Sequence, residues 1–484
     1  MTNQVDTSTS PDTRQEGSTL VIGLLLVSAF VVILNETIMS VAIPKLIVDF
    51  HITAATGQWL TSAFLLTMAV VIPVTGFLIQ RFSTRAMFLS AMTLFIIGTI
   101  VAIFAPGFSV LLVARIIQAF GTSIMMPLLM TTVLTLVEPA HRGRIMGNIS
   151  IVISVAPAIG PTISGLILNS LSWRFLFICV LPIALAALIV GALKLRNVGE
   201  PRRAPFDALS VVLSAFAFGG IVYGLSSIAT IQADGATTPI IALAVGVIGL
   251  ALFVWRQTRL QHHDRALLDL RTFRSPVFTL AIIALSIGII VFFGSLIVLP
   301  LFLENVLRLP VLQVGLLLLP GGLIMGALSP VVGNLYDRVG PRPLVIPGSI
   351  LISAGLWLLT TLTHHSSAAF VLVVYIVLSI GLAFLLTPLL TTALGSVPAP
   401  LYSYGSATFS TVQQLAGAAG TALFITLMTV GTSASSSRSA MTAMAHGVHT
   451  AFLWGAIVSL AGLIAACFVR AQSTGDGTHT GDAA

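Results

Sequence analysis

The sequence predicts an all-α polytopic membrane protein with about fourteen transmembrane helices, on three observations. Hydrophobic residues make up 57% of its 484 positions and charged residues 8%, whereas an ordinary soluble domain carries about a quarter charged residues. With a mean hydropathy of +1.07, such a chain cannot cover itself with polar surface, so lipid must be its solvent. Apolar runs long enough to span a bilayer recur near 19–44, 57–79, 85–105, 109–136, 144–168, 174–194, 208–229, 238–256, 277–301, 311–332, 343–363, 369–392, 404–431 and 449–470. The basic residues fall between these runs with a strong sidedness. With the amino terminus inside, 17 of the 22 Lys and Arg are on the inner side, Lys45, Arg174, Arg308 and Arg438 are outside, and Arg115 lies within a helix. That asymmetry fits an even number of spans and two cytoplasmic termini.

Taken in order, residues 1–18 are polar with a single basic residue, Arg14, and read as a disordered cytoplasmic tail. A secretory signal would need a charged start before its apolar stretch, so the first helix is expected to be retained. Six spans follow in 19–200, an extra pair of helices in 201–258, a basic cytoplasmic linker in 259–275, six more spans in 276–471 and a polar tail in 472–484. An internal repeat suggests this division. Gly76, Leu78, Gln80, Arg81 and Arg85 after the second span match Gly333, Leu335, Asp337, Arg338 and Arg342 after the tenth. Two copies eight spans apart imply two six-helix halves separated by the extra pair, as in transporters whose substrate site lies between repeats.

At these loops the sequence resembles the major facilitator superfamily, in particular its fourteen-helix drug:proton antiporter branch (the EmrB/QacA type), over nearly the whole chain. Leu34, Asn35, Glu36, Thr37, Ser40 and Pro44 resemble the branch's first-helix motif, and Gln58-Trp59 opens the second span as members often do. Arg115, Gln118 and Gly121 resemble the buried-arginine motif. Ala156, Pro157, Gly160, Pro161, Ser164 and Gly165 resemble the antiporter motif. Trp173-Arg174 and Gln413-Gln414 with Gly417 and Gly420 fit as well. The chain departs from the pattern at Gln80 and Asn35, where carboxylates are usual, and at Ser164, where glycine is usual. The resemblance implies the major facilitator fold and the export of lipophilic drugs or toxic compounds in exchange for protons.

Glu36 is the one carboxylate well inside an expected span. An ionised acid in lipid is costly, so such residues face a cavity and often relay protons. Arg115 keeps its charge and needs an acceptor, for which Glu36 or Asn35 is the candidate; together Glu36 and Arg115 would couple protons to conformation. Ala156, Gly160, Pro161 and Gly165 are expected to permit close helix contact and, through the resemblance, to seal the halves against leakage. Gly76, Gln80, Arg81, Arg85, Gly333, Asp337, Arg338 and Arg342 read as latches on the inner face, with Asp337 either favouring the N-terminus of the span after it or pairing with Arg338 or with basic residues of neighbouring loops. Asn35, Ser40, Gln118, Asn148, Gln413 and Gln414 are candidates for the substrate cavity, because lipid does not tolerate unpaired polar groups.

The same inventory argues against other classes. The +7 net charge is not gathered into a stripe, so no nucleic-acid partner is expected. Cys179 and Cys467 sit in separate apolar runs and read as buried thiols, and the His262-His263 and His364-His365 pairs lack ligand company, so no metal or other cofactor is expected. No phosphate-cradling loop is present, and no catalytic constellation points to an enzyme. The expected partners are protons, a small lipophilic substrate and the bilayer of a cell membrane, with the monomer sufficient. Two alternatives stay open: a proton-coupled transporter of one metabolite, amino acid or lipid, and a non-transporting receptor or scaffold.

Overall fold

The computed structural model describes residues 11–195, 197–198, 207–228, 237–435 and 439–469. Fourteen helices among them are long and apolar enough to cross a membrane. They are α1 (Pro11–Phe50), α2 (Ala54–Arg81), α3 (Thr84–Ile103), α4 (Phe108–Leu136), α5 (Arg142–Ser170), α6 (Arg174–Lys194) and α7 (Ala208–Ile228). After them come α8 (Thr237–Leu260), α9 (Pro276–Asn305), α10 (Val311–Val339), α11 (Arg342–Leu359), α12 (Ala368–Gly395), α13 (Tyr402–Ala434) and α14 (Ala440–Phe468). Their starts carry the expected chemistry: Thr53, Ser83, Ser275 and Ser367 each accept a backbone N–H of the helix they precede, which satisfies a donor with no intrahelical partner.

Helices α1–α6 pack as one bundle and α9–α14 as another, joined chiefly along α5–α10 and α2–α13. In both loops of the repeat the second arginine does the same work. Arg85 donates to Ala192 O at the C-terminus of α6, and Arg342 donates to Val469 O (3.1 Å) and Cys467 O (3.0 Å) at the end of α14. A guanidinium against unpaired carbonyls is favoured by charge and by hydrogen bonding.

The extra pair α7–α8 covers the α2–α13 seam, where Phe218 and Phe253 pack with Phe77, Leu267 and Ala407, and Trp59 stacks on Tyr223 at 5.8 Å. Asp207 caps α7 through Ser210 N and takes both oxygens to Arg256 (2.7 and 2.8 Å). Gln257 ties α8 to α7 through Ser210 Oγ and to the linker through Leu267 N and Leu268 N. The Arg256 guanidinium holds the Asp207 carboxyl down at about 2. A depressed carboxylate stabilises the fold above its unfolded value of about 3.9, and loses that contribution as pH falls through about 2. Asp207→Asn is therefore expected to lower stability by about 1–2 kcal/mol, by the same amount at pH 5 as at pH 8. Thermal unfolding followed by size-exclusion chromatography checks this; a deficit that changed across that range would overturn the assignment.

Two sequence expectations change here. Helix α1 begins at Pro11, ahead of the expected 19, because Arg14, Gln15 and Glu16 are good helix formers and extend the apolar span backwards. Residues 1–10 and 470–484, with most of the expected tails, lie outside the described residues, as do Arg196, Arg202, Arg203 and Arg438. Cys179 and Cys467 are both free and exposed. An apolar run in a membrane helix has a face turned to lipid as well as one turned to the bundle, and both thiols fall on the outer one.

Candidate functional site

Helix α1 presents Asn35, Glu36 and Thr37 in succession, and the three meet different surroundings. Asn35 is 0% exposed, and neither its amide oxygen nor its nitrogen has a partner among the described residues. Glu36 is half-buried, and its carboxyl has no hydrogen-bond or ion-pair partner among the described residues. Thr37 donates to Leu34 O (2.9 Å) and faces α5. A Cβ on Gly160 would stand 2.3 Å from Thr37 Oγ1, and Ser164 Oγ donates to Ile38 O at 3.0 Å. The small residues Ala156, Gly160 and Ser164 thus bring α5 against α1 within one half. Contact between the halves uses the other face of α5, where Gly143, Gly147, Val155, Ala158 and Thr162 meet α10. Pro161 is exposed, and Gly165 faces open space.

Arg115 on α4 is 1% exposed. Its Nη1 donates to Gln118 Oε1 (3.0 Å), Gln118 Nε2 donates to Thr99 Oγ1 (2.9 Å), and Thr99 Oγ1 donates to Phe95 O (2.7 Å). The guanidinium lies over the Phe64 ring at 4.0 Å, and its Nε is unpartnered. The expected direct acceptor, Glu36 or Asn35, is therefore not the one Arg115 uses: a glutamine one turn along its own helix and an aromatic face from α2 are nearer. Gln118 accordingly belongs to a network inside the first half and does not line the central cavity. Nothing in the local sequence marks Phe64, one of 27 phenylalanines.

A small cavity of about 30 Å³ lies between the halves, with Ser150 and Ser154 of α5, Phe292 and Phe293 of α9, and Phe409 and Gln413 of α13 in its wall. Of the six polar residues expected there, the structure brings Gln413. Asn35 and Gln118 are buried elsewhere, Asn148 and Gln414 are half-buried outside this wall, and the side chain of Ser40 lies outside the described residues.

The hydrogen bonds that join the halves sit at the arginine-rich end and at mid-span. Gly143 N and Arg144 N, at the N-terminus of α5, donate to Asp337 Oδ1 (2.7 Å) and Oδ2 (2.9 Å). Asp337 is in the last turn of α10, so it caps a helix of the opposite half and not the span after it, as was expected from sequence order. The carboxylate meets unpaired N–H groups at the positive end of a helix dipole. In the first copy, Gln80 Nε2 donates to Pro400 O (3.1 Å) just before α13. An amide can donate where a carboxylate cannot, which accommodates the departure at that position. Arg142, which the sequence marks only as one more inner charge, donates to Leu134 O (2.8 Å) and Val137 O (3.2 Å) at the end of α4 and to Tyr402 Oη (3.0 Å) of the second half. Thr387 Oγ1 donates to Ser150 Oγ (2.9 Å) near the middle. Arg81 lies 6.0 Å from the Phe77 ring, and Arg338 is exposed without a partner among the described residues. The hydrogen-bonded contact between the halves at this end is thus carried by Asp337, Gln80 and Arg142. Gly76 and Gly333 give it room: a Cβ would stand 3.1 Å from Ala407 Cβ at the first and 2.1 Å from Gly143 O at the second.

Comparison with known proteins agrees with this architecture. The family model of the Major Facilitator Superfamily matches residues 25–421. The chain is 40% identical to the uncharacterized MFS-type transporter YcnB of Bacillus subtilis, over 94% of this chain and 96% of that one. It is 39% identical to the lincomycin resistance protein LmrB of Listeria monocytogenes, over 93% and 96%. The human organic anion transporter MFSD10 superposes with a TM-score of 0.66 at 14% identity, covering 93% of this chain and 99% of that one. With two helical bundles joined through α5–α10 and α2–α13, and with this match along most of its length, the chain belongs to the major facilitator superfamily.

Proposed function

We propose that the chain is a secondary exporter of the bacterial cell membrane, carrying lipophilic drugs or toxic compounds out of the cytoplasm in exchange for protons. The arginine-rich end faces the cytoplasm in this reading, and a monomer suffices. The observation that carries it is Glu36, a half-buried carboxyl without a hydrogen-bond or ion-pair partner among the described residues, with Arg115 held by Gln118 and Phe64 instead. An ionised acid in such surroundings needs a countercharge, and a neutral one does not. Movement of Arg115 between its present seat and Glu36 would exchange one kind of company for the other. The bundle carrying these groups meets the second half through breakable hydrogen bonds at the arginine-rich end, so the charge state of Glu36 can bias which end is open. Export of toxic compounds is supported by the 39% identity to a lincomycin resistance protein, together with the first-helix and antiporter motifs.

The test is transport by purified protein in liposomes under an imposed pH gradient, with a lipophilic fluorescent dye as substrate. Accumulation is expected against the dye's own gradient and should collapse when a protonophore is added. Undiminished accumulation after the protonophore would defeat proton exchange as the driving force.

A further inference from the structure

A larger space lies at the arginine-rich end, where the α2–α3 turn, the end of α4 and the segment before α13 meet. Its volume of about 320 Å³ has room for about ten waters. Neither half encloses it alone: Gln80, Ser83 and Thr131 come from the first half, and Pro400, Tyr402 and Ser403 from the second. The bond from Gln80 Nε2 to Pro400 O (3.1 Å) crosses from one wall to the other. Tyr402, in the same wall, accepts Arg142 through its hydroxyl. The space therefore has this form only while the two halves are closed together at this end.

Its wall is polar without being charged. Seven of its thirteen residues are Ser, Thr or Gln, and none of the described residues in the wall is Asp, Glu, Lys, Arg or His. The hydroxyls are only partly used. Thr84 Oγ1 donates to Val198 O (3.1 Å) and Thr135 Oγ1 to Thr131 O (2.8 Å), so each keeps a lone pair that can accept. Ser83 Oγ accepts Ala86 N and keeps its own proton. Ser403 is 4% exposed, and its hydroxyl and that of Thr131 are buried without a partner among the described residues. A buried hydroxyl without a hydrogen bond costs stability, a cost that a ligand with hydroxyls of its own removes.

An ion in this space would leave its water without meeting an opposite charge, and an apolar compound would strand the hydroxyls of the wall. A compound that carries several hydroxyls both donates and accepts, and so answers the mixture found there. We infer that the space is a binding site for a neutral polyhydroxyl compound of up to disaccharide size (a free sugar or the sugar headgroup of a membrane lipid), held in part by Ser403 and Thr131, and that its occupant keeps the arginine-rich end closed. A ligand that touches both halves binds the closed arrangement better than the open one and draws the population toward it. The site is separate from Glu36 and from the small cavity that has Gln413 in its wall. It depends neither on what the chain exports nor on what drives that export.

The test is calorimetric titration of the full-length protein in phosphatidylcholine discs, after purification without sugar-based detergent. The probes are maltose, sodium phosphate and tetramethylammonium chloride. Maltose is expected to bind at least tenfold more tightly than either ion. With spin labels at Glu138 and Val339, and Cys179 and Cys467 replaced by serine, it should also enrich the shorter distances between the halves. Ser403→Ala combined with Thr131→Val should weaken maltose at least tenfold. Each change removes a hydroxyl that has no partner, so the double variant should melt no lower than the unmodified protein when no sugar is present. Discs that contain diglucosyl diacylglycerol distinguish the sources: competition with maltose assigns the site to a lipid headgroup, and undiminished maltose binding assigns it to a free sugar. No binding at millimolar maltose in phosphatidylcholine discs would overturn the inference and leave the space to water alone. Equal binding of either ion, an unchanged maltose affinity in the double variant, or binding that leaves the label distances as they were would overturn it as well. If the double variant does not elute as a monodisperse species, Ser403→Ala alone and the three probes on the unmodified protein decide.

Discussion

Gly333→Ala is expected to prevent closure of the arginine-rich end and to stop transport. The Cβ it introduces would stand 2.1 Å from Gly143 O, 2.8 Å from Gly143 C and 3.3 Å from Arg144 Cα. All three are backbone atoms, so no rotamer change relieves the contact and the two helices must separate. Overpacking of this kind costs about 1–3 kcal/mol, and about 3 kcal/mol shifts a two-state population by roughly two orders of magnitude. Separation also pulls Asp337 away from the N–H groups of Gly143 and Arg144, which leaves both the carboxylate and the helix end without partners. Spin labels at the exposed Glu138 and Val339, one in each half, provide the measurement, with Cys179 and Cys467 replaced by serine because both are exposed. The distance should lengthen in Gly333→Ala and remain unchanged in Gly23→Ala, where nothing lies within 4 Å of the new methyl group. A Gly333→Ala protein that keeps the short distance and transports normally would show that α5 and α10 need not close this tightly.

The second large effect concerns Glu36. Glu36→Gln keeps the size and hydrogen-bonding ability of the side chain and removes its capacity to carry a proton across the cycle. If one proton is exchanged per uncharged substrate, a gradient of one pH unit sustains about a tenfold substrate ratio, since 1.4 kcal/mol is a factor of ten. The unmodified protein is expected to approach that ratio in liposomes, and Glu36→Gln to fall to a ratio near one at equal protein content. Phe64→Leu should act more mildly through the same chemistry. It removes the ring under the Arg115 guanidinium, a desolvated cation–π contact of about 2 kcal/mol, and so frees Arg115 toward Glu36. The pH at which transport is half-maximal should then move, with substrate affinity less affected. Uphill accumulation retained by Glu36→Gln would mean that another group carries the proton.

Much of the architecture was legible in the chain alone because the solvent is lipid. A helix that spans it must be apolar for some twenty residues, and a charge within it is conspicuous. Fourteen spans, the repeat that aligns Gly76–Arg85 with Gly333–Arg342, and the isolation of Glu36 and Arg115 therefore show up as composition and spacing. The two second arginines, Arg85 and Arg342, proved equivalent in structure as well, each closing the last helix of its own half.

Which side chains stand next to one another came from packing. Polar residues inside spans must find partners, but sequence spacing fixes partners only within about one helical turn. Gln118 is within that reach of Arg115, and Phe64 is not. The same limit hid the reach of Asp337 to α5 and of Arg142 to Tyr402, because both bonds cross between bundles far apart in the chain. It also left six polar residues as equal candidates for the cavity, of which Gln413 alone among the described side chains lies in its wall. From composition and spacing alone it follows that this protein crosses a membrane fourteen times in two related halves and keeps one acid and one arginine well within its spans. Tertiary packing decided that the arginine rests on an aromatic ring, that helix ends bond across the halves, and that the wall of the cavity between them has no charged side chain among the described residues. The physical reason is that burial in lipid is a property of each segment, whereas a hydrogen bond, a close backbone approach and a cavity wall are properties of pairs that only the fold brings together.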